Sequence, residues 1–393
     1  MGFKALFDRE DVLEILKQTL EDYYLDKTGK IVRVEYSNRK SRESFILIPK
    51  LGMISRPFPC KEIKKHFYDD YNIRGNVIKN LGAKIMIFLA THSIKFFSLS
   101  KCFYIIPCDI ISDKTIFAFC NRTVRVFDYD SGTTVSIQKK GFSDKYFRQH
   151  LMFRLNNDYD FIPPMLSHGE NWIEEKILSG VMLARVTDKI RYDQSVECVL
   201  NQMKVIADDT IKHIGIKNYA LQLIEYIEHS LNEALEIKQI NSFNFAKQYV
   251  ALLKNQTINL TGEIPTVESH GDLQGGNVLV SKDKIWIIDW ETAERRSSWY
   301  DVITLQFETR YYGGIKRLTK DCLYSDIRTK LTRLYDCTLA IKDMILIYLL
   351  EDMTFYLEDM LELPNKAGRI SFDNYMQEIS EINWKDFFSI QRE

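Results

Sequence analysis

The sequence predicts an α+β protein, with strands concentrated in its first half and helices in its second. Three observations carry that expectation. Short apolar runs rich in β-branched residues recur between Ile31 and Leu178, separated by turn residues. Helical periodicity then takes over at 194–208, 216–236 and 242–255, and returns across 303–393. Between those helical stretches, residues 264–291 read as a loop, a strand, a short polar turn, a second strand and an acidic tip.

Bulk composition excludes several classes. Lys plus Arg number 53 and Asp plus Glu 54, so no global field draws the chain to nucleic acid or to an anionic membrane. The cysteines, Cys60, Cys102, Cys108, Cys120, Cys198, Cys322 and Cys337, are scattered with no Cys-x-x-Cys pair, which suits a reducing compartment and no zinc or disulfide framework. The start, Met1-Gly2-Phe3-Lys4-Ala5-Leu6, lacks the pattern of a signal peptide, and Ile85–Ala90 is far too short to span a bilayer. A cytoplasmic location is expected.

The stretch 264–291 is where chemistry concentrates. Val278-Leu279-Val280 and Ile285-Trp286-Ile287-Ile288 flank the polar turn Ser281-Lys282-Asp283-Lys284, so a hairpin is expected. Asp272 and Asn277 precede its first strand and Asp289 follows its second. An Asp, an Asn and a second Asp are hard oxygen ligands of the kind that hold Mg²⁺ against a nucleotide phosphate, and a carboxylate among them can position an attacking hydroxyl. His270-Gly271-Asp272-Leu273, with Asn277 and Ile288-Asp289-Trp290-Glu291, resembles the catalytic core of the aminoglycoside phosphotransferase and choline kinase superfamily. The resemblance implies a bilobal protein-kinase-like fold, with a small antiparallel-sheet N-lobe and a helical C-lobe. It places residues 1–112 outside that core as an extra N-terminal α/β module, 113–178 in the N-lobe and 179–393 in the C-lobe.

Taken in order, residues 8–25 carry an amphipathic helix with Asp8 as its N-cap and Val12, Ile15, Leu16 and Leu20 on one face. Strands are expected at 31–36 and 45–48, a helix at 61–71, and strands at 84–90, 94–98 and 102–107. Residues 115–119, 124–127 and 133–139 form three further strands, with a tight turn at Asn121-Arg122. In the resembled fold that turn covers the ATP phosphates. Here no Gly-x-Gly-x-x-Gly is present, so backbone N–H groups with Asn121 or Arg122 would make the contact. The third strand should supply a phosphate-binding lysine. Val135, Ile137 and Lys139 share one face by alternation, which selects Lys139 over Lys140. The next helix, from Ser143 to Leu155, has no Glu in its interior to pair with that lysine; only Gln149 or His150 stands near the expected position. Trp172–Gly180 resembles the hinge strand, where backbone near Glu175 and Ile177 would meet the adenine edge.

In the second half, the stripe Ile216, Tyr219, Leu223 and Ile227 reads as core. Asp301 matches a structural Asp of the resembled family that ties the catalytic loop to a helix. Arg295 and Arg296 read either as anion ligands or as a solvated pair. Glu351, Asp352, Glu358, Asp359 and Glu362 read as the polar face of amphipathic helices or, as the resemblance implies, as part of a site that selects cationic amines.

The resemblance implies an enzyme that moves the γ-phosphoryl group of ATP, or of GTP, to a hydroxyl of a small molecule such as a sugar, an amino alcohol or an aminoglycoside. Asp272 would orient that hydroxyl, His270 would stand beside it as loop support, Asn277 and Asp289 would ligate Mg²⁺, and Lys139 would neutralise phosphate charge. The alternative is a pseudokinase, a nucleotide-binding or structural module, favoured by the missing helix Glu and the missing glycine motif. A protein kinase is disfavoured, since no Asp-Phe-Gly or Ala-Pro-Glu segment brackets an activation loop.

Overall fold

The computed structural model describes residues 10–38, 41, 43–48, 53–57, 59–71, 80–82, 84–85, 87–88, 102–237, 242–324, 327–363 and 366–389. The architecture is α+β. The chain divides into two compact units, Met1–Val181 with Arg185–Thr187, and Met182–Ala184 with Asp188–Glu393.

The first unit is organised by a nine-stranded sheet whose order is β1-β4-β2-β3-β5-β6-β7-β9-β8. Its strands are β1 (Arg33–Ser37), β2 (Phe45–Ile48), β3 (Met53–Ser55), β4 (Cys102–Ile106), β5 (Thr115–Phe119), β6 (Thr123–Asp128), β7 (Thr133–Gln138), β8 (Met165–His168) and β9 (Trp172–Lys176); the two-residue β10 (Val181–Met182) follows and is not part of this sheet. Every pairing is antiparallel. Strands from either side of residue 112 meet in it, because β3 pairs with β5 in the register Ile54↔Phe117. Alternation sends neighbouring residues to opposite faces. Ile54 and Phe117 pack with Val12, Leu16 and Leu20 of α1 (Val12–Thr28), while Met53 and Ile116 pack with Ile63 and Phe67 of α2 (Lys61–Tyr71).

Helix α1 is capped by Asp11, whose carboxylate accepts the Glu14 N–H at 3.3 Å; Asp8 lies outside the described residues. The expected strand at 84–90 is corrected: Lys84, Ile85, Ile87 and Phe88 are helical, and among them only Ile87 is buried, beside Ile63 and Phe67. A short apolar run satisfies either period, and here one buried side chain in a turn is the helical solution. The run at 94–98 lies outside the described residues. Helix α3 (Lys145–Asn156) follows Asp144 rather than Ser143.

Lys139 comes just after β7 and is 1% exposed. Its Nζ lies 2.7 Å from Glu10 Oε1 and donates to the Asn121 carbonyl at 3.0 Å, under the rings of Phe119 and Phe142. The lysine that the alternation selected is thus closed inside this unit by a carboxylate from the segment before α1. Lys140, more than half exposed, pairs with Asp22 at 2.7 Å.

The second unit is mainly helical. It contains α4 (Lys189–Thr210), α5 (Ile216–Ile237), α6 (Phe243–Gln256), α7 (Tyr300–Gln306), α8 (Gly314–Tyr324), α9 (Arg328–Leu331), α10 (Ile341–Glu362), α11 (Lys366–Ser380) and α12 (Trp384–Ser389). Helix α10 is the centre of its core. From Met344 to Thr354 every side chain is buried, so this is not the amphipathic helix expected. Ile216 and Ile227 of α5 pack into the same core, with Tyr219 and Leu223 partly buried against it. Among the described residues, no helix is long and apolar enough to cross a membrane.

The buried Lys139–Glu10 pair generates a stability prediction. Glu10→Ala leaves an ammonium without its carboxylate and should cost about 3–5 kcal/mol in urea unfolding. Glu10→Leu combined with Lys139→Met should recover most of that loss. A Glu10→Ala variant as stable as the parent would show that the pair contributes nothing.

Candidate active site

The second unit brings together the residues of the central motif. Strand β12 (Glu263–Ser269) delivers the loop, pairing with β11 (Lys212–Gly215) on one side and β15 (Glu294–Ser297) on the other. The sequence reads as a loop where β12 stands and gives no strand at Glu294–Ser297. Pro265 is the reason for the first difference, since proline argues against a central strand; here it faces His213, and its carbonyl accepts the Ser298 N–H at 3.0 Å.

After β12 the chain turns sharply, and one carboxylate holds the turn. Asp301, buried in the first turn of α7, accepts from Ser269 Oγ at 2.9 Å, His270 N at 2.6 Å and Gly271 N at 3.1 Å. Gly271 sits at φ 81°, and a Cβ there would overlap the Arg296 guanidinium and the Thr292 carbonyl, so only glycine fits. Arg296 is buried and donates to that carbonyl at 3.2 Å, while Arg295 donates to Thr266 O at 3.0 Å. Both arginines are therefore occupied by the fold rather than forming a solvated pair.

His270 is fully buried, with both ring nitrogens engaged. Nδ1 accepts the Asp272 N–H at 3.3 Å, and Nε2 lies 2.9 Å from the Ile288 carbonyl, which fixes the proton on Nε2. The ring centroid lies 4.6 Å from that of Trp290, with the two planes tilted by 48°. The imidazole thus joins the two loops through its own nitrogens.

Strands β13 (Val278–Val280) and β14 (Ile285–Ile287) form the expected hairpin, in the register Val278↔Ile287. Ile288 N donates to Asn277 O at 2.9 Å, which holds Asn277 and Asp289 at the same open end. Asn277 Nδ2 donates to Asp272 O at 2.8 Å and to Asp272 Oδ2 at 3.1 Å. Asp289 adopts the left-handed conformation, φ 71° and ψ 55°, at a cost of order 1 kcal/mol for a residue other than glycine. Asn277 and Asp289 offer an amide oxygen and a carboxylate, the hard donors that Mg²⁺ takes, and that ion usually needs only one or two carboxylates beside phosphate and water. Among the described residues no group of three or more His, Cys, Asp and Glu is arranged to hold a metal.

Sequence reasoning missed Arg310. It lies between α7 and α8, is 5% exposed in its side chain, and donates from Nε to Asp272 Oδ1 at 2.9 Å. Its other nitrogens reach Asp352 Oδ1, the Gly271 carbonyl at 3.0 Å and Tyr300 OH at 2.7 Å. Asp352 is fully buried in α10. Asp272 therefore receives three side-chain N–H donors, from Gln274, Asn277 and Arg310. A carboxylate has about four acceptor directions, so one more donor, such as a hydroxyl, can be accommodated. No spacing rule flags Arg310, but Asp352 had a signal: a charged pair set into the apolar run from Met344 to Tyr356 must be buried and partnered.

The remaining predicted residues belong to the first unit. Asn121 is engaged through its carbonyl by Lys139. Glu175 is ion-paired with buried Arg154. Ile177 already donates its N–H to Gly132 O at 2.9 Å, so the adenine contact expected there has no Ile177 N–H to draw on.

Glu351, the neighbour of Asp352, accepts from Ser297 N and Ser297 Oγ, both at 2.6 Å, and from Tyr219 OH at 2.7 Å. Burial pushes its carboxyl up to about 7, against these hydrogen bonds and the Arg296 charge, which favour the anion. The folded state then binds the proton more tightly than the unfolded chain. Stability from this group is full below its unfolded pKa and lost as pH rises through about 7. Glu351→Gln should flatten that slope, on the order of 1–3 kcal/mol between acid and neutral pH. Unfolding free energies that fall equally with pH in parent and variant would refute it.

No family model matches the chain. It is 22% identical over 205 residues, half of its length and 77% of the relative's, to the Protein LicA homolog of Mycoplasma capricolum subsp. capricolum. Similar solved structures include a choline/ethanolamine kinase family protein from Mesorhizobium loti, at 13% identity and TM-score 0.48, covering 69% of this chain and 88% of that one. A choline kinase from Cryptosporidium parvum gives 14% identity and TM-score 0.43, with 72% and 94% covered. An ethanolamine kinase from Plasmodium vivax gives 16% identity and TM-score 0.43, with 84% and 94% covered.

Proposed function

We propose that the chain is a phosphotransferase that moves the γ-phosphoryl group of a nucleoside triphosphate, ATP or GTP, to a hydroxyl of a small molecule. The observation that carries this reading is the Asp272 carboxylate, oriented by Asn277, Gln274 and Arg310 with capacity for one further donor. Asp272 receives and orients the acceptor hydroxyl, and takes its proton as the oxygen attacks. Asn277 holds Asp272 by its amide N–H₂, so its amide oxygen faces away from that bond and serves, with Asp289, as ligand to Mg²⁺. When bound, the ion neutralises phosphate charge in transfer. His270 fixes the Asp272 loop to the segment before Asp289 and moves no proton in this scheme. Phosphoryl transfer depends on positioning and charge compensation, which this set supplies without a covalent intermediate.

A second reading, a nucleotide-binding module without turnover, draws support from Lys139. Its ammonium is enclosed with Glu10 in the first unit, and the phosphate contact expected of it would require that pair to open.

Two measurements test these readings, the first the nucleotide site that both require and the second the turnover that separates them. Mg-ATP or Mg-GTP should raise the thermal midpoint of the parent protein, and Asp289→Asn should abolish the Mg²⁺-dependent part of the rise. The absence of any shift at millimolar nucleotide would refute a nucleotide site. Asp272→Asn should leave nucleotide binding intact and lower phosphoryl transfer to an accepted alcohol by about 10²–10⁴-fold. Nucleotide binding with no turnover on a panel of sugars, polyols and amino alcohols would favour the second reading.

A further inference from the structure

The surroundings of Arg310 make a box suited to a cation. Its guanidinium carbon lies 3.9 Å from the ring centroid of Phe355, 5.5 Å from Tyr356 and 5.8 Å from Tyr300. Rings at these distances attract a positive charge through their negative faces. Two carboxylates complete the enclosure, Asp352 from α10 and Asp272 from the candidate catalytic loop. The box is rigid where it is built from α10, whose residues 352, 355 and 356 occupy two successive turns of one buried helix.

Arg310 itself comes from elsewhere. It rises from the connection between α7 and α8, residues 307–313, which contains Glu308 at φ 51° and Gly313 at φ 91°. Its side chain is 5% exposed and that of Asp272 is 21% exposed, so the guanidinium fills the interior and the Asp272 carboxylate faces outward. The chain thus carries a cation-binding enclosure, next to the carboxylate proposed to orient the acceptor, that is filled by its own arginine.

We propose that Arg310 determines acceptor specificity by occupying this box, so that the hydroxyl compound presented to Asp272 is one without a cationic amine: a neutral polyol or sugar. The inference rests on the phosphotransferase reading for the word acceptor, while the occupancy of the box stands independently of it. An amine or quaternary ammonium approaching Asp272 meets a positive charge already satisfied by both carboxylates. Entry would require Arg310 to leave four hydrogen-bonded partners, Asp272, Asp352, Gly271 O and Tyr300 OH. A hydroxyl without a charge meets no such opposition.

The test uses the full chain and two probes, tetramethylammonium and guanidinium, each at millimolar concentration against sodium chloride of equal ionic strength. The parent should bind neither saturably. Arg310→Ala should bind both, seen as a saturable rise in thermal midpoint and in calorimetric titration, and Arg310→Ala with Asp352→Asn should lose that binding. Where Arg310→Ala fails to fold, Arg310→Gln, which keeps much of the volume without the charge, is read in the same way. Saturable binding of tetramethylammonium to the parent, or a folded variant that binds neither probe, would overturn the proposal.

The second arm compares matched acceptors with Mg-ATP, glucose against glucosamine and glycerol against ethanolamine. The parent should favour the uncharged member of the pair, and Arg310→Gln should reduce that preference by about tenfold. A parent that favours the amine overturns the proposal. Turnover on no acceptor at all defeats the phosphotransferase reading, and the cation titrations still decide whether Arg310 occupies the box.

Discussion

The geometry of the second unit depends on one buried carboxylate. Asp301 collects the Ser269 hydroxyl and the N–H groups of His270 and Gly271, and so forces the chain leaving β12 into its turn. The Ser269 hydroxyl and the His270 N–H would otherwise lose that acceptor inside the protein, at about 1–3 kcal/mol apiece, while the Gly271 N–H also reaches Ser269 Oγ at 3.1 Å. With the turn fixed, Gly271 presents its carbonyl to Arg310, His270 spans to Ile288, and Asp272 is carried to where Asn277 and Arg310 hold it. Asp301 touches no reacting atom in the proposed scheme. It sets the positions from which the other residues act.

Much of this was legible in the sequence because it is local. The hairpin around Ser281–Lys284, the placement of Asn277 and Asp289 at its open end, and the long helices at 216–237 and 243–256 follow from period and turn chemistry over short spans. Asp301 was legible through the resemblance alone. The features that escaped are long-range or carry a misleading local signal. Pro265 hid a central strand, the alternation of Val135 and Ile137 gave no hint that Glu10 would cover Lys139, and nothing near Arg310 announces that it reaches Asp272 and Asp352 across 38 and 42 residues.

The acidic residues of α10 illustrate how context decides meaning. By composition Glu351 and Asp352 read as a solvated face, and by the resemblance as a cation site. Packing places them inside an apolar helix, where each is tolerable only with partners: Ser297 and Tyr219 for Glu351, Arg310 for Asp352. One therefore anchors β15 to the core, and the other anchors the arginine that meets the candidate catalytic loop. Two adjacent carboxylates on one helix thus have unrelated duties, set by which direction each side chain leaves the helix.

The pairing of β3 with β5 has a consequence for how the chain can be divided. A fragment beginning at residue 113 would retain β5 to β9 but strip β5 of β3, one of its two hydrogen-bonded neighbours, and of the α1 side chains that cover Phe117. The new boundary would be an apolar strand with its backbone groups unpaired, the kind of edge along which separate molecules join. Dissection at that point would therefore yield a self-associating fragment in place of a minimal domain. The N-terminal segment is a structural member of the sheet it precedes, whatever further role it has.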